Sequence, residues 1–471
     1  MTAAVAVPLW LLVLLAALAL WAAYDKVLAP AVRWFIAHRA NVVIDEVSRR
    51  LRIGIRPFQR TRRQALVDRL LTDPKVQRAA EQHAQKMGVP VLTSLAIVER
   101  YAREIVPAFN AYLYFKIGYW IGRGVARTLY RVRLGYVDSA GLARVDSNAT
   151  VVFVMNHRSN MDYVLAGYLA ADQTALSYAV GEWARIWPLS ALIRAMGAYF
   201  VRRNSKDELY RRVLERYIAM ATEAGVPQAV FPEGGLTRDG RMREPRLGVL
   251  DYMLRGFRLG GERDLVFVPL GINYDRVLED RSLLLSIDPE AQRPGRLRAL
   301  WTTLGFVARN LRLALKSEWY RFGYACVNFG APVSMREYCR SRNLDFKEIS
   351  GDERKRAVAA LGAHLMQVVG RIVPVVPVPL IATVFAASAD KAISAIELKA
   401  EVEKLREQLE AAGAYLYVPR SDFDYAVTVG LRMLTLRRLV EEKDGLFTGR
   451  PEEMPVLRYY ANSIAHLLPA A

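Results

Sequence analysis

A chain of 471 residues has room for two or three domains of roughly 100–200 residues each, and a 53% hydrophobic composition excludes disorder as its default state. Its net charge of +19 calls for an anionic partner. With no zinc-finger spacing, RNA-recognition signature or basic-zipper pattern, that partner is read as anionic lipid or a phosphorylated substrate and not nucleic acid. Two cysteines, Cys326 and Cys339, lack CxxC spacing, and five scattered histidines lack HExxH spacing; a disulfide framework and a metal site are therefore not expected.

The chain opens on Ala3–Tyr24, 22 residues without a charge. A helix rising about 1.5 Å per residue over that length spans a hydrocarbon core of roughly 30 Å. Met1–Leu9 has no Lys or Arg, so the basic start of a cleaved signal peptide is missing. Residues 1–25 are expected to be a single transmembrane helix. Lys26, Arg33 and Arg39 come after it, which by the positive-inside rule puts the remainder on the cytoplasmic side. Residues 26–128 read as a helical region. Within it Glu104–Ala126 carries six aromatic side chains, from Phe109 to Trp120, among few charges. These suit either a packed core or a lipid interface, and core packing is the preferred reading.

Val151–Met155 is a β-branched and aromatic run that reads as a buried strand. Asn156-His157-Arg158-Ser159-Asn160-Met161-Asp162 comes next, then an apolar segment that reads as a helix. Ser159 or Asn160 suits its amino-terminal cap. A His at a strand end lies where α/β folds bind ligands. An Asp in the next helical turn can reach back to it, fix the imidazole tautomer and stabilise the imidazolium. His157 is then a general base for a substrate hydroxyl, with Asp162 its orienting partner, and no covalent Ser is needed. Ser159 as a nucleophile is the weaker alternative. An isolated H-x4-D pair is more often a turn residue and a helix-end carboxylate, so its weight depends on the blocks downstream of it.

There are three more strand-to-turn blocks. Gly197–Arg203 ends in Arg202 and Arg203, whose guanidinium forks suit phosphate. Ala229–Arg238 ends a strand in Pro232-Glu233-Gly234-Gly235-Leu236-Thr237-Arg238. Its glycines allow a ligand close to the backbone. Glu233 can bond a hydroxyl or the neighbouring backbone, and Arg238 can meet a phosphate. Leu265–Tyr274 is a core strand interrupted by Pro269, which implies an edge or a break in the ladder and can shape a pocket wall.

Elsewhere in the chain, Arg276–Glu318 is Arg-rich and helical in pattern, Val327–Pro332 reads as a strand and turn extending the core sheet, and Ser394–Ala412 as a surface helix with i,i+4 charge pairs. No internal repeat is present.

In their order and contexts, N-H-R-S-N-M-D, G-A-Y-F-V-R-R, F-P-E-G-G and V-P-L-G-I-N-Y resemble the four motifs of the glycerolipid acyltransferases. H-R-S-N-M-D-Y and E-G-G with T-R-D-G look most like the branch acting on glycerol-3-phosphate or dihydroxyacetone phosphate. Leu129–Val132, Pro377–Thr383 and Leu457–His466 resemble that family's segments before and after its core. The resemblance implies an α/β fold: a core with a central mixed sheet at 129–335, flanked by helical regions at 26–128 and 336–471. It implies acyl transfer from acyl-CoA or acyl carrier protein to the sn-1 hydroxyl of glycerol-3-phosphate, without a bound cofactor. Lysophosphatidate is the alternative acceptor, and a catalytically silent lipid-binding scaffold the alternative role. Carried onto this sequence, the catalytic pair is His157 and Asp162, and the substrate-binding residues are Arg202, Arg203, Glu233, Gly234, Gly235, Thr237, Arg238 and Pro269. One position departs from the pattern: Leu236 stands where relatives usually have an Arg.

Overall fold

The protein is described by a computed structural model over residues 55–170, 174–181, 189–202, 205–287, 322–388 and 391–469. Long apolar runs form the centre of a mixed eight-stranded sheet. Its strands are β1 (Arg131–Val137), β2 (Thr150–Met155), β3 (Ser177–Val180), β4 (Tyr199–Phe200), β5 (Gln228–Val230), β6 (Leu265–Tyr274), β7 (Tyr324–Phe329) and β8 (Val333–Ser334). They lie in the order β1-β7-β6-β2-β5-β3-β4, with β8 also on β6. The pairs β1/β7, β2/β6, β2/β5, β3/β5 and β3/β4 are parallel, while β6 runs antiparallel to β7 and β8.

All six residues of β2 and all ten of β6 are buried, as strands covered on both faces must be. The two-residue alternation divides them between layers. Val152, Val154 and Phe267 face one cluster, shared with Val76, Ala80, Val98 and Ala102 of the amino-terminal helices Pro74–Met87 and Val91–Ile105. Val151, Phe153, Met155, Val266 and Val268 face the other, shared with Leu398, Val402, Leu457 and Tyr460 from the carboxy-terminal helices. Burial contributes about 1.5–3 kcal/mol per large apolar side chain. That exceeds the roughly 1 kcal/mol net of a single hydrogen bond, so the strands fix where the polar turns above them lie.

The break expected at Pro269 is present, in a central strand. On one side β6 pairs with β8 at Val266 and Phe267 and with β7 from Leu270 onward. Pro269, without an N–H, sits at the change of neighbour, and its carbonyl accepts from Gly330 N–H at 2.9 Å. Val327–Phe329 indeed extends the sheet, as β7.

The carboxy-terminal part is not purely helical. β9 (Ile393–Ser394), β10 (Val440–Lys443) and β11 (Leu446–Gly449) form a small antiparallel sheet. Its hairpin turns at Asp444 and Gly445, both with positive φ (50° and 76°), as a tight two-residue hairpin turn requires. The expected helix is Ala395–Ala411, started by a reciprocal Ser394–Glu397 cap.

The expectation of a membrane span with the core on the cytoplasmic side requires correction. Among the described residues no helix is long and apolar enough to cross a membrane. Ala3–Tyr24, on which the span was placed, lies outside the described residues, as do 288–321 of the Arg-rich segment. Of the aromatic segment, Tyr114 is buried in a cluster with Phe109 and Phe115, while Trp120 is 58% exposed.

Candidate active site

β2 and β5 are parallel neighbours, with Val154 level with Val230. Their carboxyl ends therefore deliver the His157 turn and the Glu233 loop to the same place. The loops are stitched together directly. His157 N–H donates to Glu233 Oε1 at 2.8 Å, and Thr237 N–H donates to the His157 carbonyl at 3.0 Å. Arg243 N–H donates to Glu233 Oε2 at 3.0 Å. Glu233 thus holds backbone. Burial pushes its carboxyl up to about 7, against the opposing pull of the His157 N–H and the Arg158 charge.

His157 Nδ1 lies 2.9 Å from Asp162 Oδ2, with both side chains buried. Asp162 lies in the first turn of the helix Met161–Ala170. The same Oδ2 accepts the N–H groups of Arg158 at 2.7 Å and Ser159 at 3.0 Å. Oδ1 accepts the Tyr274 hydroxyl at 2.5 Å. A carboxylate oriented by these donors accepts a hydrogen bond from Nδ1–H, which leaves Nε2 as the basic nitrogen. The ring stacks on Phe231 at 4.1 Å between centroids and meets the edge of Tyr163 at 5.3 Å. Burial and the adjacent Asp162 charge push the Tyr274 hydroxyl well above its ordinary value, so it stays a donor.

Ser159 sits as a cap. Its hydroxyl donates to Glu279 Oε2 at 2.8 Å and accepts from Met161 N–H at 3.2 Å. Asn160 donates to the same Glu279 through its backbone and its amide. Both Ser159 contacts hold its hydroxyl in the turn that starts the helix.

His157 lines a cavity of about 300 Å³ together with Tyr163, Phe231 and Gly234. Gly234 has φ +68° and lies against Arg246, where a Cβ would collide with the Arg246 side chain. Among the described lining residues three are arginines, Arg202, Arg211 and Arg246, and none is a carboxylate. These arginines lie on a lining that is otherwise mostly apolar. Arg202 does not face the cavity alone: its fork closes on Glu104, Nε to Oε1 at 2.9 Å and Nη2 to Oε2 at 2.6 Å, between the rings of Tyr101 and Tyr210. Arg203 lies outside the described residues. Arg238 is exposed, and neither it nor Gly235, Thr237 or Pro269 lines the cavity. Thr237 instead closes its own loop, donating to the Arg241 carbonyl at 2.6 Å.

Sequence reasoning passed over Tyr274, Glu279, Arg246 and Arg211. Tyr274 carried a signal, as the last residue of V-P-L-G-I-N-Y, a segment read only as a wall. The arginines carried none, because they come from the helix Glu208–Glu223 and from the start of the helix Leu247–Arg255. A second cavity, of about 210 Å³ and mostly apolar, shares Tyr163 and Val180 with the first and runs between the helices Tyr119–Leu129 and Met161–Ala170.

The family model for acyltransferases matches residues 137–273, and that for the glycerol-3-phosphate acyltransferase C-terminal region matches 308–470. The chain is 28% identical over 433 residues to a glycerol-3-phosphate acyltransferase of Pseudomonas putida, covering 87% of this chain and 49% of that protein. It is 30% identical over 295 residues to one of Pseudomonas fluorescens, covering 61% and 33%. A solved 1-acyl-sn-glycerophosphate acyltransferase from Thermotoga maritima shares 17% identity over 54% of this chain and 76% of that one, at a TM-score of 0.32. The chain spans about half the length of the curated relatives it matches.

Proposed function

We infer the activity from one premise: this chain belongs to the glycerol-3-phosphate acyltransferase family of the glycerolipid acyltransferases. The proposed reaction moves a fatty acyl group from an acyl thioester, acyl-CoA or acyl carrier protein, to the sn-1 hydroxyl of glycerol-3-phosphate. The observation carrying this reading is the cavity itself, with an Asp-held imidazole at one side and three arginines but no carboxylate among its described lining residues. Such a site suits a small hydroxyl compound bearing a phosphate.

In the proposed mechanism His157 Nε2 takes the acceptor's hydroxyl proton as the oxygen attacks the thioester carbonyl. The carbon–sulfur bond then breaks, and the imidazolium returns the proton to the leaving thiolate. Asp162 stays ionised throughout, stabilising the imidazolium. Phosphate rests on the arginine rim at Arg246 and Arg211, where a guanidinium offers paired donors. Arg202, held in place by Glu104, lines the same cavity. The adjoining apolar cavity suits the acyl chain, and Tyr163 stands at the join. As written the reaction requires no metal or bound cofactor.

The test is steady-state turnover by the purified full chain, with both donors, against glycerol-3-phosphate, dihydroxyacetone phosphate, lysophosphatidate and glycerol. Glycerol-3-phosphate is expected to exceed glycerol in kcat/KM by about 100-fold or more, roughly 2.7 kcal/mol of phosphate recognition. Equal rates with glycerol refute the phosphate site. A preference for lysophosphatidate replaces the acceptor and keeps the chemistry. No transfer to any acceptor refutes the enzymatic reading.

A further inference from the structure

Arg158 comes directly after the proposed base and is only 2% exposed. A guanidinium keeps its charge in a protein, so burying it is costly unless its donors are filled. Two of them are: Nη1 donates to the Gly240 carbonyl at 2.7 Å, and Nη2 to the Ser463 carbonyl at 2.8 Å. Gly240 belongs to the loop that begins at Glu233, and Ser463 to the carboxy-terminal segment after the helix Met454–Asn462. Loop and segment are in direct contact. Gly240 has φ +88°, and a Cβ there would overlap the Tyr459 carbonyl. Asn462 Nδ2 donates to the Asp239 carbonyl at 2.9 Å. At its other end Arg158 touches the catalytic carboxylate, its own N–H donating to Asp162 Oδ2 at 2.7 Å.

We propose that Arg158 makes the carboxy-terminal segment Tyr459–His466 a working part of the active site. Its backbone holds Asp162, and its side chain clamps the Glu233 loop to that segment, so the alignment of His157, Asp162 and Glu233 depends on the segment staying docked. Arg158 is a positioning residue and binds no substrate: its fork is turned to two backbone carbonyls, and it is not among the residues lining the cavity. The regions matched by the two family models, 137–273 and 308–470, then act as one catalytic unit joined at this side chain. This rests on His157 being the base and is independent of which acceptor is used.

The experiment compares the full chain with Arg158→Met and Arg158→Lys in two readouts, steady-state kinetics and amide hydrogen exchange over residues 237–241 and 459–466. Displacing a catalytic group by about 1 Å costs about 100-fold in rate, so Arg158→Met is expected to lose about that in kcat while both substrate KM values stay within about threefold. Arg158→Lys keeps the charge and one carbonyl contact, and is expected to lose about tenfold. In both variants the two segments are expected to lose exchange protection together. A raised KM with unchanged kcat overturns the proposal, because Arg158 would then meet substrate. Unchanged protection of the Ser463 side also overturns it. If Arg158→Met does not fold, Arg158→Lys decides. The exchange readout needs no turnover, so it tests the docking of the two segments separately from the acyltransferase reading.

Discussion

The two sides of the cavity are built on different principles. On the His157 side the bond that holds the imidazole closes within five residues of chain: Asp162 reaches back across one turn and gathers His157, Arg158 and Ser159. On the arginine side the charges come from three separated places, the end of β4, the helix Glu208–Glu223 and the residue before the helix Leu247–Arg255. Side chains that close locally are placed by a turn. Side chains that converge from a distance are placed by packing, and their identity depends on which faces the folded elements present.

The contrast can be broken first at its local half. Asp162→Asn removes the charge that orients the imidazole and is expected to lower kcat by about a thousandfold, measured by steady-state turnover. Tyr274→Phe removes one donor to the same carboxylate and keeps the pair, so about a tenfold loss in kcat is expected in the same assay. An effect of Tyr274→Phe as large as that of Asp162→Asn would show that the local turn does not set the geometry by itself.

The distributed half is sharpened by a pair of substitutions. Arg246→Gln is expected to raise the acceptor KM about tenfold and leave the donor KM unchanged, whereas Arg238→Gln, exposed and away from the cavity, moves neither beyond about twofold. The reverse pattern would return the phosphate to Arg238 and refute the arginine rim.

A smaller effect comes from Glu233, which links the two halves. Its carboxyl is raised by burial from 4.5 to about 7 in the folded protein. A raised acid contributes stability that is present below its unfolded value and is lost as pH rises through the folded one. Thermal melting of wild type minus Glu233→Gln should therefore fall as pH goes from 4.5 to about 7 and level off above that. A difference that grows over this window contradicts the assigned shift.

These contrasts also mark how far the sequence could be read. β2 and β6 announced themselves as apolar runs, and the His157–Asp162 turn was legible because strand end, cap and helix start are all local. Pro269 announced a ladder break, and the exchange of β8 for β7 explains why a central strand tolerates it. Arg202 looked like a phosphate fork because its partner Glu104 is 98 residues away. Arg158 offered no clue to its role, since its carbonyl partners lie 82 and 305 residues along the chain. The Asp444-Gly445 hairpin was a local signal that was passed over within a helix-rich stretch. The span placed on Ala3–Tyr24 rested on composition, and it gains no support from any described helix.

His157, held by Asp162, is the proposed base that activates the acceptor hydroxyl. The most direct measurement is kcat of His157→Ala beside wild type, with glycerol-3-phosphate and acyl-CoA, on protein whose melting temperature is unchanged. General-base catalysis contributes about 100- to 10,000-fold, and a loss in that range is predicted. Turnover within about tenfold of wild type, roughly 1.4 kcal/mol of barrier, would contradict it.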